Sequence, residues 1–113
     1  MKKFLLGLLL LNSTVAFAGV DLASTIARIQ LKGDGKLWIK MSSGEFDKYC
    51  KPGWNGFNLY IQESDPSFPY YYGLIATALS KGQRLYVANI SVFNGTSTCD
   101  LIKTGYGVTV LNN

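Results

Sequence analysis

The chain contains no histidine. That removes the usual general base near neutral pH and the commonest metal ligand. Cysteine is limited to Cys50 and Cys99, and a bridged pair cannot hold zinc. The seven acids are scattered as Asp21, Asp34, Glu45, Asp47, Glu63, Asp65 and Asp100. Glu63 and Asp65 could in principle flank a glycosidic bond. They precede Pro66 in a polar loop, where solvated turn residues are the simpler reading. No serine sits in a nucleophile elbow, and there is no histidine to activate one. Neither Gly33-Asp34-Gly35 nor Gly105-Tyr106-Gly107 opens a helix, so neither is a phosphate loop. The expectation is a protein that is not an enzyme and uses no metal or other cofactor.

Long apolar runs are also missing. Phe4 to Leu11 holds eight residues, against the roughly 20 that a spanning helix needs, so no integral membrane span is expected. That run follows Lys2-Lys3 and precedes Ala16-Phe17-Ala18, the layout of a bacterial secretory signal peptide over residues 1–18. Export to the periplasm or beyond follows. An oxidising compartment makes a Cys50–Cys99 disulfide the default reading.

Removing 18 residues from 113 leaves 95, Gly19 to Asn113, enough for one small domain. Lys2 and Lys3 contribute two of the four net positive charges, so the rest of the chain carries +2. No run of like charges demands an acidic polymer as partner.

What is present is period-two alternation. Thr25 to Leu31 alternates, with Thr25, Ala27, Ile29 and Leu31 on one face and Ile26, Arg28 and Gln30 on the other. Gly33-Asp34-Gly35 then turns the chain. In Lys36 to Met41, Leu37, Ile39 and Met41 face inward and Trp38 and Lys40 outward. Residues 42–56 are rich in turn formers. Phe57 to Gln62 is a third strand, with Phe57, Leu59 and Ile61 on one face and Asn58, Tyr60 and Gln62 on the other. Pro69 can open a helix, on which Tyr71, Leu74, Ile75, Ala78 and Leu79 recur at helical spacing. Lys81 suits its last turn and Gly82 its C′ position. Arg84 to Phe93 reads as a long strand. Leu101 to Leu111 reads as the last, interrupted at Gly105 and Gly107 by a bulge or bend.

The order is strand, strand, strand, helix, strand, strand. That is the order of the five-stranded OB barrel, a mainly β fold with one helix. In such a barrel the third and fifth strands run parallel side by side. Cys50 and Cys99 each precede one of them, where a bridge is geometrically possible. The alternative is an α+β antiparallel sheet with one covering helix.

The layout resembles the B subunits of bacterial toxins that carry one A chain on a B pentamer, of the subtilase cytotoxin and typhoid toxin types. The resemblance implies an exported, disulfide-containing OB fold that binds host glycan, as a ring. The chain is also similar to small exported proteobacterial proteins without an assigned function. That similarity rests on Cys50, Tyr70-Tyr71-Tyr72, Ala78-Leu79-Ser80-Lys81-Gly82, Leu85-Tyr86-Val87 and Cys99. Neither resemblance transfers a sugar-binding residue.

By alternation, the outer face of the first three strands displays Arg28, Gln30, Lys32, Trp38, Lys40, Asn58, Tyr60 and Gln62. Aromatic rings among amides and cations suit a sugar, whose C–H faces stack on rings. They also suit single-stranded nucleic acid, which export argues against. Trp38 and Tyr60 could instead cover a subunit interface or lie under a loop. Trp54 in its Pro52–Gly56 loop is either a binding anchor or a cap on one end of the barrel. Three successive tyrosines at 100° per residue cannot all face the core, so at least one of Tyr70, Tyr71 and Tyr72 is expected to be exposed. Asn89-Ile90-Ser91 and Asn94-Gly95-Thr96 match the glycosylation sequon; in a bacterial chain both read as chance. The candidate ligand residues are therefore Trp38, Tyr60, Arg28, Lys40, Asn58 and Trp54. The candidate partners are a surface glycan, with the chain as a pentamer, or an envelope or host protein, with the chain as a monomer.

Overall fold

The computed structural model describes residues 19–112. The expected signal peptide, residues 1–18, lies outside the described residues. The chain forms β1 (Leu22–Lys32), β2 (Lys36–Met41), β3 (Leu59–Gln62), α1 (Phe68–Lys81), β4 (Arg84–Val87), β5 (Cys99–Asp100) and β6 (Val108–Leu111). One mixed sheet runs in the order β5-β3-β2-β1-β4-β6. It curls into a half-barrel.

β1 makes the curl. Its first four residues pair antiparallel with β4, from Leu22↔Val87 to Thr25↔Arg84. Its remainder pairs antiparallel with β2, from Ile26↔Met41 to Lys32↔Lys36. Gly35, at φ 81°, closes that hairpin in a conformation open to glycine. The register slips between Ile26 and Arg28, which leaves Ala27 as the extra residue of a β-bulge. β3 then pairs with β2 antiparallel and with β5 parallel. One pair is parallel, so the sheet is not antiparallel throughout. β5 and β6 lie on opposite edges, yet only residues 101–107 separate them in sequence. That short link bounds how far apart the edges can stand.

α1 packs across β1, β4 and β6. Pro69 sits in its first turn, where the missing N–H costs nothing. Gly82 ends it at φ 65°. The Gly82 and Gln83 amides donate to Leu79 and Ala78 carbonyls, a Schellman closure. The core joins Ile75 and Ala78 of the helix to Leu37, Ile39, Leu59, Ile61, Leu85 and Val87 of the sheet. Phe46, Ile90 and Leu101 fill it from the loops. Each fully buried large side chain is worth about 1.5–3 kcal/mol of transfer free energy. The Cys50–Cys99 disulfide, with Cα atoms 5.2 Å apart, lies inside this core.

Several expectations are corrected. The strand expected over 84–93 stops at Val87. The Asn89 amide donates to Asp21 Oδ1, Asn89 turns left-handed at φ 59°, and Ile90–Phe93 forms a 3-10 turn. The strand expected over 101–111 is split. Asp100 accepts from the Ile102 amide and starts a 3-10 turn over Leu101–Thr104, which Gly105 ends at φ 82°. Hence there are six strands where five were expected. Ile26 points into the core, not outward with Arg28, because the bulge reverses the alternation. Leu74, one of the apolar residues at helical spacing, is 44% exposed. Of the three tyrosines, Tyr70 and Tyr72 are exposed and Tyr71 is half-buried.

Candidate functional site

Beyond the bulge, β1 presents Arg28, Gln30 and Lys32 on the outer face. β2 adds Lys36, Trp38 and Lys40, and β3 adds Tyr60 and Gln62. Cross-strand register sets these into rows: Arg28 opposite Lys40, Gln30 opposite Trp38 opposite Tyr60, and Lys32 opposite Lys36 opposite Gln62. Directly opposed side chains share a face and lie within contact range. Tyr60 is in turn opposite Asp100 of β5.

A loop brings two further rings onto this face. Cys50 fixes its start through the disulfide. Lys51 N–H donates to the Ser97 carbonyl at 2.9 Å, and Thr98 Oγ1 donates to the Lys51 carbonyl at 2.8 Å. Residues Trp54–Gly56 form a tight turn that is kinked at Asn55, with Asn55 at φ 51° and Gly56 at φ 78°. Gly53 N–H donates to the Phe57 carbonyl across its base. Arg28 Nη2 reaches over and donates to the Asn55 carbonyl at 2.7 Å. The loop is thus held at both ends and at its tip.

The result is a four-ring platform. Trp54 stacks on Phe57 with centroids 5.5 Å apart and planes at 17°. Trp38 lies 5.6 Å from Trp54, 6.2 Å from Phe57 and 5.6 Å from Tyr60. These separations fall in the range where aromatic pairs attract beyond area burial. Three cations lie against the rings. The Arg28 guanidinium sits 4.2 Å from the Phe57 centroid and Lys32 Nζ 4.2 Å from that of Trp54. Lys36 Nζ lies 4.8 Å from the Tyr60 ring and 5.3 Å from Trp38. Asp34, in the hairpin turn, holds the arrangement. It accepts from Trp38 Nε1 at 3.3 Å and pairs with Lys32 Nζ at 3.6 Å. Trp38 is 7% exposed and Phe57 fully buried, whereas Trp54 is 37% exposed. Trp54 and the half-buried Tyr60 therefore form the reachable rim over a packed base.

Burial, reinforced by the nearby Asp100 carboxylate, pushes the Tyr60 phenol above its usual range. It stays neutral and can both donate and accept. Burial likewise pushes the Asp100 carboxyl up, against the pull of the Ile102 N–H and of Lys103 and Lys36.

Arg28, Trp38, Trp54 and Tyr60 are brought together as one surface. Lys40 stands at its far end, 3.6 Å from Asp47. Asn58 does not join it. Its side chain is fully buried, accepting from the Met41 N–H and donating to Asp47 Oδ1 at 3.0 Å. Phe57, expected on one face with Leu59 and Ile61, lies buried at the base of the platform instead. Strand alternation begins only at Leu59, so it does not govern residues 57 and 58. Lys36 and Asp34 were also missed. Lys36 was legible, being two residues from Trp38 on the same strand. Asp34 was masked by its turn motif. Among the described residues, no group of three His, Cys, Asp or Glu could hold a metal ion, and no helix is long and apolar enough to cross a membrane.

The fold and face define a β-rich half-barrel carrying an aromatic platform lined by cations. Comparison with protein-family models, with curated proteins and with solved structures found no match to this chain.

Proposed function

We propose that this chain is an exported, non-enzymatic binding domain that recognises cell-surface carbohydrate through the outer face of β1–β3. The observation that carries this reading is the platform of Trp38, Trp54, Phe57 and Tyr60 with Arg28, Lys32 and Lys36 around it. An exposed indole edge beside a neutral phenol offers a sugar both a stacking surface and a hydrogen-bond partner. The cations and Gln30 supply donors to ring hydroxyls.

The architecture is read as an OB-like barrel. Support comes from β1 pairing with both β2 and β4, from the parallel β3–β5 pair, and from β5 and β6 as two halves of one interrupted strand. The outer face of the first strands is the usual ligand face of that fold. With the toxin B subunit resemblance, this makes a pentamer the expected assembly, since weak sugar sites gain avidity from repetition.

A glycan array on the oxidised, secreted protein tests the reading, alongside its mass by light scattering. Binding that disappears in Trp54→Ala, with a pentameric mass, is the expected result. An array with no binder together with a monomeric mass would sink it.

A second reading is favoured by α1, which exposes Tyr70 at 76%, Tyr72 at 43% and Leu74 at 44%. In it, the chain is a monomeric periplasmic protein that binds or inhibits an envelope protein through that helix. A pull-down from envelope extract then recovers one stoichiometric partner, lost in Tyr70→Ala/Tyr72→Ala. An empty pull-down argues against it.

A further inference from the structure

On the opposite end of β1 from the platform's hairpin lies an open hollow of ≈ 290 Å³, lined by Gly19, Asp21, Ala88, Asn89 and Tyr106. Residues 19–21 are laid against 89–91. Val20 N–H donates to Ser91 Oγ at 3.0 Å, and the Val20 carbonyl accepts from the Ile90 N–H at 2.8 Å. Asn89 is locked in a left-handed conformation by its own amide, which donates to Asp21 Oδ1 at 2.9 Å. Its Nδ2 is turned to the Thr104 carbonyl. That assignment directs Oδ1, an acceptor, at Gly19. A β-carbon built on Gly19 would collide with Asn89 Oδ1 and lie 3.3 Å from Cγ.

We infer that this hollow is a seat for the chain's own α-ammonium, created when processing leaves Gly19 as the first residue. The inference rests on the reading of residues 1–18 as a signal peptide. The geometric argument is short. In a processed chain nothing precedes the Gly19 nitrogen, so the Gly19 Cα–C bond can turn. One such turn exchanges the nitrogen with the position a β-carbon would hold, because the N–Cα bond, about 1.46 Å, is close to a carbon–carbon bond in length. A small further rotation relaxes the collision into an N–H···O hydrogen bond of about 2.9 Å to Asn89 Oδ1. In the unturned conformation a real β-carbon would hit that same oxygen, so glycine fits there where other residues clash. The Asp21 carboxylate shares the hollow. The Tyr86 hydroxyl and the Asn89 N–H both bond it and hold it below the usual carboxylate range, so it is ionised at neutral pH. An ammonium there shares the hollow with Asp21, with Tyr86 and Tyr106 as the neighbouring titratable groups; the hydrogen bond to Asp21 holds the Tyr86 phenol above its usual range.

The charge pairing raises the α-ammonium's folded pKa above its unfolded value of about 7.7–8.0. Its stabilisation is therefore present in full below that value and is lost as pH rises through the folded pKa. For the test, the full chain is exported from a bacterial host, purified oxidised, and its first residue is read by mass spectrometry. The Gly19 ¹³Cα shift is then titrated, and melting is compared before and after selective acetylation of the α-amine. The expected results are Gly19 first, a titration midpoint above the ordinary range, and a melting point about 2–4 °C lower after acetylation at pH 6.5. That gap closes by pH 9.5. Asp21→Asn keeps the acceptor for Asn89 N–H yet returns the midpoint to the ordinary range. A first residue other than Gly19 overturns the cleavage reading and this inference with it. Gly19 first with an ordinary midpoint overturns this inference alone.

Discussion

Replacing Cys50 and Cys99 together with alanine removes the one covalent tie between the platform loop and β5. The bridge spans a sequence separation of 49. In the chain-entropy model a loop of that size restricts the unfolded state by about 14 cal/mol/K, or about 4 kcal/mol at 25 °C. Both side chains are fully buried in the core, so the lost sulfur atoms add about 1 kcal/mol of cavity cost. A domain of this length holds only about 5–14 kcal/mol of net stability. The variant is therefore expected to melt about 20–40 °C lower. Urea titration followed by circular dichroism separates the mechanism from simple core damage. Without the cross-link the unfolded chain exposes more surface, so the m-value rises while the midpoint falls. The loss begins locally, because β5 is two residues long and pairs only Leu59 and Tyr60. Amide exchange at position 99 and at Lys51 is expected to accelerate before the core strands open. A stability difference below about 1 kcal/mol with an unchanged m-value would refute the argument.

Asn58→Ala leaves the Met41 N–H without its partner and Asp47 with Lys40 alone, and is expected to cost about 1–3 kcal/mol by urea denaturation. An unchanged midpoint would mean that water replaces the amide. Asp100→Asn keeps an oxygen for the Ile102 N–H but removes a charge that burial disfavours. Because the folded pKa of Asp100 is raised, its ionised form opposes folding at neutral pH. The variant is thus expected to be the more stable at pH 7, with the gap shrinking as acid protonates the parent, a trend that melting curves across pH would check. Lys32→Ala uncovers Trp54 and loses a partly exposed pair with Asp34, costing less than about 1 kcal/mol. Acrylamide quenching of tryptophan emission should rise, and unaltered quenching would remove Lys32 from the platform.

The helix was readable because its signals are local. Pro69 and Gly82 mark its ends, and Ile75 and Ala78 carry the buried stripe. The β1–β2 hairpin was readable for the same reason, from turn chemistry, and the disulfide followed from the expectation that an exported chain pairs its two cysteines. The strand ends beyond Val87 and before Val108 were not. Apolar residues continue through Ile90, Val92, Leu101 and Ile102, and what stops the strands is a side-chain carboxylate bonding a backbone amide. Asp21, 68 residues away, catches the Asn89 N–H, and no local pattern reports such a contact. Asp100 capping Ile102 is local, but an Asp before an apolar run reads equally well as a strand border. Within the platform, Trp38, Tyr60 and Arg28 followed from parity, whereas Phe57 and Asn58 fell just outside the strand in which parity holds.

The bulge at Ala27 ties these successes and failures to the platform. Ser24 and Ile26 are even-numbered and point inward. Arg28, Gln30 and Lys32 are even-numbered as well, and an unbroken strand would point them inward too. A buried Arg28 and Lys32 would be untenable without partners. One extra residue reverses the phase. The first half of β1 then fills the core beside β4, while the second half turns its cations onto Trp54 and Phe57. The sequence carries one trace of this, an isoleucine and an arginine two apart that cannot share an environment. A strand can serve a core and a ligand face with one parity only if its register breaks between them. Bulges gather beside functional surfaces for this reason, since they re-aim side chains without ending the strand.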